Sequence, residues 1–319
     1  MTTTPTATIE ARAWSELRSL TAHLLAREPE EIHALRTGAL PHRPGSYGQY
    51  FTAWDLANGI LRDYSMNLYQ ALRMVARREI GVDSALAVLR SWVPMYGEFL
   101  RYSGFERLAD HARLMVESGV RDHRGLVAEL SALVAYVNRL TAWSHHYFPW
   151  HVGEAYRYDA APPDVMAQTL PAACDEGSSV RTPVRLRWEP LGVEVVAEIC
   201  RDLNERLCGD FLAALPFTVL QDHAVVTGES MYAWTPLVSV APTPVTERIR
   251  DAPVGRLRFS QATGNKLVVQ YGPTTETLHA PVLGRVVAED IDALRKVGRA
   301  AWDSTFRTKE HVWLTVERI

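Results

Sequence analysis

The chain changes texture once, and that change limits what it can fold into. From residue 9 to about 145, apolar side chains recur every three or four positions; beyond residue 183 they come in short alternating runs. The first pattern belongs to amphipathic helices and the second to half-buried strands. Between them lie prolines at 149, 162, 163, 171 and 183 and the polar stretch Asp175-Glu-Gly-Ser-Ser179, the marks of a connecting segment. A length of 319 residues accommodates two ordinary domains. The expected division is a helical bundle over 1–148, a Pro-rich connection over 149–183 and a strand-rich domain over 184–319.

In the helical part, Trp14, Leu17, Leu20, Leu24 and Leu25 open a first helix that Pro29 stops. Further helices are expected over 50–61 and 68–80. A long one capped by Asp83 or Ser84 follows, kinked or divided at Pro94. One more covers 105–116, and the most apolar covers 126–143. About six helices joined by short loops make a bundle. In the strand part, runs at 184–188 and 193–199 flank Glu-Pro-Leu-Gly, a hairpin signal. Asp202 and Glu205 have capping-box spacing ahead of a helix through Leu207 and Phe211. Strands are expected at 225–226, 231–235, 255–259, 266–271, 285–287 and 312–316, with Asp290 capping a second helix. Many strands with two helices predict a closed barrel plugged at its ends, so the fold class is α+β.

Composition narrows the partners. The net charge of −3 lacks the basic excess of a nucleic-acid binder. Cys174, Cys200 and Cys208 are odd in number and have no metal-site spacing, which fits reduced thiols in the cytoplasm. No basic and apolar leader opens the chain, and no run of about 18 apolar residues would span a membrane. Walker, dinucleotide, Gly-x-Ser-x-Gly and His-Glu-x-x-His patterns are missing, so no cofactor and no metal is expected. The apolar helical faces leave room for a homodimer.

Five pieces of the C-terminal part carry a family likeness. They are Phe211-Leu-Ala-Ala-Leu-Pro216, His223-Ala-Val-Val-Thr-Gly-Glu-Ser-Met-Tyr232, Gly255-Arg-Leu-Arg-Phe259, Leu267-Val-Val-Gln-Tyr-Gly272 and Leu283-Gly-Arg-Val286. In this order they resemble the cyclophilin-like barrels of bacterial proteins and the related barrel of cucumopine synthases, where a helical bundle is joined to it. Some cucumopine synthases place the bundle after the barrel, whereas here it comes first. The resemblance implies a Pictet–Spengler condensation, in which an amino acid with a nucleophilic ring joins a 2-oxo acid or aldehyde. L-Tryptophan is the favoured amine and L-histidine the next, giving a tetrahydro-β-carboline-type product. The Phe-His-Arg and Gln-Gly-Gly signature of prolyl isomerases is absent. A non-catalytic binding module, or a small-amide hydrolase or isomerase, fits the same barrel.

Such a condensation needs a base for the amine, an acid for loss of water and a base to restore aromaticity. Glu229, in the turn Thr-Gly-Glu-Ser and followed by Met231, Tyr232 and Trp234, is the candidate carboxyl. Enclosed among aromatic residues it would be desolvated; otherwise it is an exposed turn glutamate. Asp222 and His223 either orient Glu229 or hold substrate, or are a loop Asp and a core His. His279 is expected in a loop opposite the barrel mouth, as a proton shuttle or a surface residue. Arg256 and Arg258 share one strand face: inside the mouth they clamp a carboxylate, outside they are solubilising charges. Lys266 follows a Thr-Gly-Asn turn and is a third cation. In Trp143-Ser-His-His-Tyr-Phe-Pro-Trp-His151 the aromatics read as core, or His146, Trp150 and His151 line a ligand cleft beside the Ser46–Phe51 loop.

Overall fold

The computed structural model describes residues 5–40, 47–118, 122–150, 175 and 177–319. It forms two compact units, Met1–Phe148 with Ala262–Gly264, and Pro149–Gln261 with Asn265–Ile319.

The first unit is a bundle of α1 (Pro5–His23), α2 (Glu30–Thr37), α3 (Tyr47–Ala76), α4 (Val82–Tyr102), α5 (Glu106–Glu117) and α6 (His123–Tyr147). The count matches the sequence pattern but the membership does not. Pro29 stops one helix and stands at the N-cap of the next, α2. The helices expected over 50–61 and 68–80 are one, because Leu61, Tyr64, Leu68 and Leu72 continue a single buried stripe with no Gly or Pro between them. α4 runs undivided through Pro94, and Gly81, not Asp83 or Ser84, is its N-cap. α6 is the axis: Leu126, Leu130, Leu133, Val137 and Leu140 are all buried. Its N-cap Asp122 accepts from the Gly125 N–H at 2.7 Å. Buried polar ties fix its rotation, with Ser65 donating to Asn138 at 2.6 Å and the Trp143 indole N–H to the Leu24 carbonyl at 2.8 Å. No described helix is long and apolar enough to cross a membrane.

The second unit holds β1 (Arg181–Glu189), β2 (Val193–Cys200), α7 (Glu205–Ala213), β3 (Phe217–Leu220), β4 (Asp222–His223), β5 (Gly228–Trp234), β6 (Thr246–Arg248), β7 (Arg256–Ser260), β8 (Lys266–Thr274), β9 (His279–Val286), α8 (Ile291–Asp303) and β10 (Trp313–Arg318). The main sheet runs β3-β10-β1-β2-β9-β7-β8-β5-β4, and the pairings are antiparallel. Its two ends, β3 and β4, are consecutive in sequence and separated by Gln221 alone. One stretch of chain thus pairs with β10 on one side and β5 on the other, nearly closing the sheet into a barrel.

Alternation fills the interior. Leu186 and Trp188, Val195 and Ala197, Leu314 and Val316, Met231 and Ala233, Leu257 and Phe259, and Leu267 and Val269 are buried. Each Val, Leu, Met or Phe among them contributes about 1.5–3 kcal/mol on full burial. Phe211 of α7 meets Phe217 and Phe259, and Leu294, Val297 and Ala301 of α8 are buried.

Three local expectations change. Asp202 does not cap α7; it accepts from Ser178 and from the Ser179 N–H, and Asn204 is the N-cap. Asp290 is the N-cap of α8 as expected, but its side chain makes no capping bond, because its carboxylate takes the Val196 N–H at 2.7 Å. Val225 and Val226 form no strand but an exposed bend between β4 and β5.

Candidate active site

At one end of the barrel a π-helical turn, Ser304–Thr308, follows α8 and meets β4. His223 is buried there. Its Nδ1 lies 2.6 Å from the Ala224 carbonyl and its Nε2 2.8 Å from the Tyr271 hydroxyl. A carbonyl only accepts, so Nδ1 carries the proton and Nε2 accepts from Tyr271. Burial lowers the His223 pKa against the opposing pull of the Ala224 carbonyl and Asp222, so the ring is neutral at pH 7. The His223 backbone N–H donates to Thr305 Oγ1 at 2.8 Å, and that hydroxyl donates to Asp222 Oδ1 at 3.1 Å. Asp222 therefore acts on His223 through Thr305 and the backbone.

Glu229 lies where the β5–β8 register shifts, with β8 carrying the extra residues opposite it. Gly272 makes room: a Cβ there would overlap the Glu229 carboxylate. Gly298 on α8 does the same for the Tyr271 ring. These two close approaches set Tyr271 between His223 and Glu229. Burial and the Glu229 charge push the Tyr271 hydroxyl up to about 12, so it stays protonated. Glu229 itself is exposed, which corrects the enclosed carboxyl expected of it. The register shift turns it to the rim instead. Phe306 lies edge-on to His223 at 5.6 Å and meets Trp150 at 6.2 Å and Trp302 at 5.4 Å. The result is a hydrogen-bonded pair, Tyr271 and His223, with the Glu229 charge acting on Tyr271, beside an aromatic rim.

Arg256 and Arg258 follow neither expectation. They share a face with Ser230, Tyr232, Trp234, Lys266 and Gln270, opposite the apolar interior, yet both are fully buried. Arg256 is answered by Asp175 at 2.9 Å and by Glu247, and Arg285 approaches the same Asp175 at 3.7 Å. Burial favours a neutral Asp175, but Arg256 and Arg285 outweigh it and hold the carboxyl below its usual range. Arg258 has neutral partners, the Ile249 carbonyl at 3.2 Å, Gln270 at 3.1 Å and Ser230 at 3.5 Å. Its Nε has no hydrogen-bond partner, and burial lowers its pKa to about 10. Tyr232 donates to Thr227 at 2.7 Å, which donates to Glu276 at 2.7 Å. Lys266 stands over the Tyr232 ring at 4.1 Å and the Trp234 ring at 5.1 Å.

Of the remaining candidates, His279 is not in a loop but begins β9, exposed and paired with Arg248. His146 is buried in the helical unit, in ring contact with Tyr147 at 4.8 Å. Ser46, His151 and Cys174 lie outside the described residues. Sequence reasoning missed Tyr271, Thr305, Phe306 and Lys309. Tyr271 had one signal, as it closes the quoted run Leu267-Val-Val-Gln-Tyr-Gly272. It also missed Arg139, a buried arginine in the most apolar helix, whose pKa burial lowers to about 9. Among the described residues no three or more His, Cys, Asp or Glu side chains converge as a metal site.

The molecule is thus a two-part α+β protein, a helical bundle followed by a nearly closed antiparallel barrel with an acid–base group at its rim. Residues 13–147 match the cucumopine synthase C-terminal helical bundle domain, so the helical half is similar to that domain. That domain, C-terminal by description, here precedes the barrel. A structure of McbB in complex with tryptophan is 35% identical over 42% of this chain and 44% of that one, with a TM-score of 0.40. This chain therefore spans less than half of that protein's length. The solution structure of the hypothetical protein AF2241 from Archaeoglobus fulgidus is 17% identical over 45% of this chain and 99% of that one, with a TM-score of 0.31. No curated protein matches the chain.

Proposed function

We propose that the chain is a cofactor-independent enzyme that performs a Pictet–Spengler condensation in alkaloid biosynthesis. The amine is an aromatic amino acid, L-tryptophan before L-histidine. The carbonyl partner is a 2-oxo acid such as 2-oxoglutarate, or an aldehyde. The product is a tetrahydro-β-carboline when tryptophan reacts. The observation that carries this reading is the Glu229–Tyr271–His223 group beside the rim of Phe306, Trp150 and Trp302. The cucumopine synthase-type bundle supports it.

Each step of the chemistry finds a group. Neutral His223 holds the Tyr271 proton on Nε2, which leaves the phenol oxygen able to accept from the substrate amine while passing its own proton inward. The reverse transfer returns a proton to the carbinolamine oxygen as water leaves. Glu229, at the rim, takes the ring proton that restores aromaticity after cyclisation. The rim stacks on the indole. The buried free thiols Cys200 and Cys208 fit the reducing cytoplasm in which we place the reaction.

The test is direct. Purified protein is incubated with L-tryptophan or L-histidine and 2-oxoglutarate or a panel of aldehydes. Mass spectrometry should find a product equal to the sum of the substrates less one water. If neither amine reacts with any partner, the reading is wrong.

A further inference from the structure

The rim turn carries one nucleophile that the acid–base scheme leaves unused. Of the 34 lysines and arginines in the chain, three are lysines: Lys266, Lys296 and Lys309. Lys296 is exposed on α8. Lys266 lies over two aromatic rings, which favours its charged form. Lys309 differs from both. It directly follows the π-helical turn and holds a left-handed backbone, φ 60, which a side-chain-bearing residue adopts at some cost. Its Nζ donates back to the Thr305 carbonyl. Thr305 and the neighbouring Phe306 of that turn both contact His223. The amine is therefore tied to the same turn that builds the acid–base group.

We propose that Lys309 captures the carbonyl substrate as an imine and hands it to the amino acid. This rests on the barrel rim being the site of the Pictet–Spengler reaction. The neutral amine adds to the carbonyl carbon, forming a C–N bond as the carbonyl π pair moves to oxygen. That oxygen takes up protons and leaves as one water, while nitrogen sheds its second proton to form C=N. The substrate amine then adds to the same carbon and gives up one proton to the Lys309 nitrogen, which takes a second from the acid–base group and leaves with the C–N electron pair as the free amine. The iminium so formed on the substrate is the one that direct condensation gives, and no oxidant or reductant enters. Supporting this, burial lowers the Lys309 pKa to about 8 against the opposing charge of Asp222. About a tenth of the amine is then neutral at pH 7, far more than for a surface lysine.

The experiment is reductive trapping. The full chain is incubated with 2-oxoglutarate or phenylacetaldehyde and sodium cyanoborohydride, then weighed intact and mapped by peptide. One adduct is expected, at Lys309, forming at least about tenfold faster than at Lys296. Lys309→Arg should abolish it and Lys296→Arg should leave it. Lys309→Asn, which suits a left-handed backbone, is the second variant should the arginine disturb folding. Both variants should lower turnover by about tenfold or more, the scale of a lost covalent route. The proposal is overturned if the wild type makes product without a Lys309 adduct, if the adduct maps to Lys266, Lys296 or the N-terminus, or if the variants keep full turnover. Labelling of Lys309 without product from any amine supports the capture and overturns the condensation. Neither adduct nor product overturns both.

Discussion

The two faces of the barrel wall treat buried charge in opposite ways. On the polar face Arg256 is matched by two carboxylates, Asp175 and Glu247, and its guanidinium is held charged despite burial. At the barrel rim burial is used instead to keep groups neutral: His223 is pushed down and Tyr271 up. Arg258 stands between these cases, buried like Arg256 but met by neutral acceptors. A matched buried charge stabilises a fold and has no reason to react. A neutral, hydrogen-bonded pair beside an exposed carboxylate can move a proton. On the proposed function, Arg256 therefore serves the structure and the rim would serve the chemistry.

The largest expected effect is on stability. Arg256→Met leaves Asp175 buried without its main partner and should cost about 3–5 kcal/mol, read from the urea midpoint. Arg258→Met removes a charge whose hydrogen-bond partners are neutral, and should cost clearly less. An equal or greater loss for Arg258→Met would break the comparison. Next, Glu229→Gln should lower turnover by about 10² or more with the urea midpoint unchanged. An unaffected rate would remove Glu229 from the base role. Tyr271→Phe takes the proton from His223 Nε2 and should lower turnover by about tenfold, equivalent to about 1.4 kcal/mol. If Tyr271→Phe alters the midpoint but not the rate, the tyrosine is only packing.

The sequence made the architecture legible because periodicity is local. The switch from a three-to-four spacing to alternation marks the bundle and the barrel. A closed barrel was expected, but the strands that close it were not legible: Phe217-Thr-Val-Leu220 and Asp222-His223 are too short to read as strands, and their pairing partners lie elsewhere along the chain. Glu229 and His223 were candidates from residue type and neighbours. Tyr271 and Lys309 were not, because what marks them is a fold-level contact: one packs on Gly298, the other sits behind Thr305. The Arg256 and Arg258 pairing on one face followed from alternation. That the face would be polar yet buried did not, since burial there depends on the segment around Ile249.

The smallest effect is a pH dependence that separates the two faces. The folded-state pKa of His223 lies below its ordinary value of 6.5. Above pH 6.5 the ring is neutral in both states and costs nothing. As pH falls below 6.5 the unfolded chain binds a proton that the folded chain refuses, so stability declines, by at most about 1.4 kcal/mol per pH unit for this one group. The decline ends once the folded value is passed. Asp175 titrates elsewhere. Its folded pKa lies below the ordinary 3.8, so its contribution is complete above 3.8 and is lost as pH falls through the lower folded value. Urea midpoints measured from pH 8 down to pH 3 should therefore show two separate declines. His223→Asn should flatten the one that begins near 6.5 and leave the lower one intact. A variant that keeps the upper decline would show that another group carries it, and that His223 is not held neutral by burial at the rim.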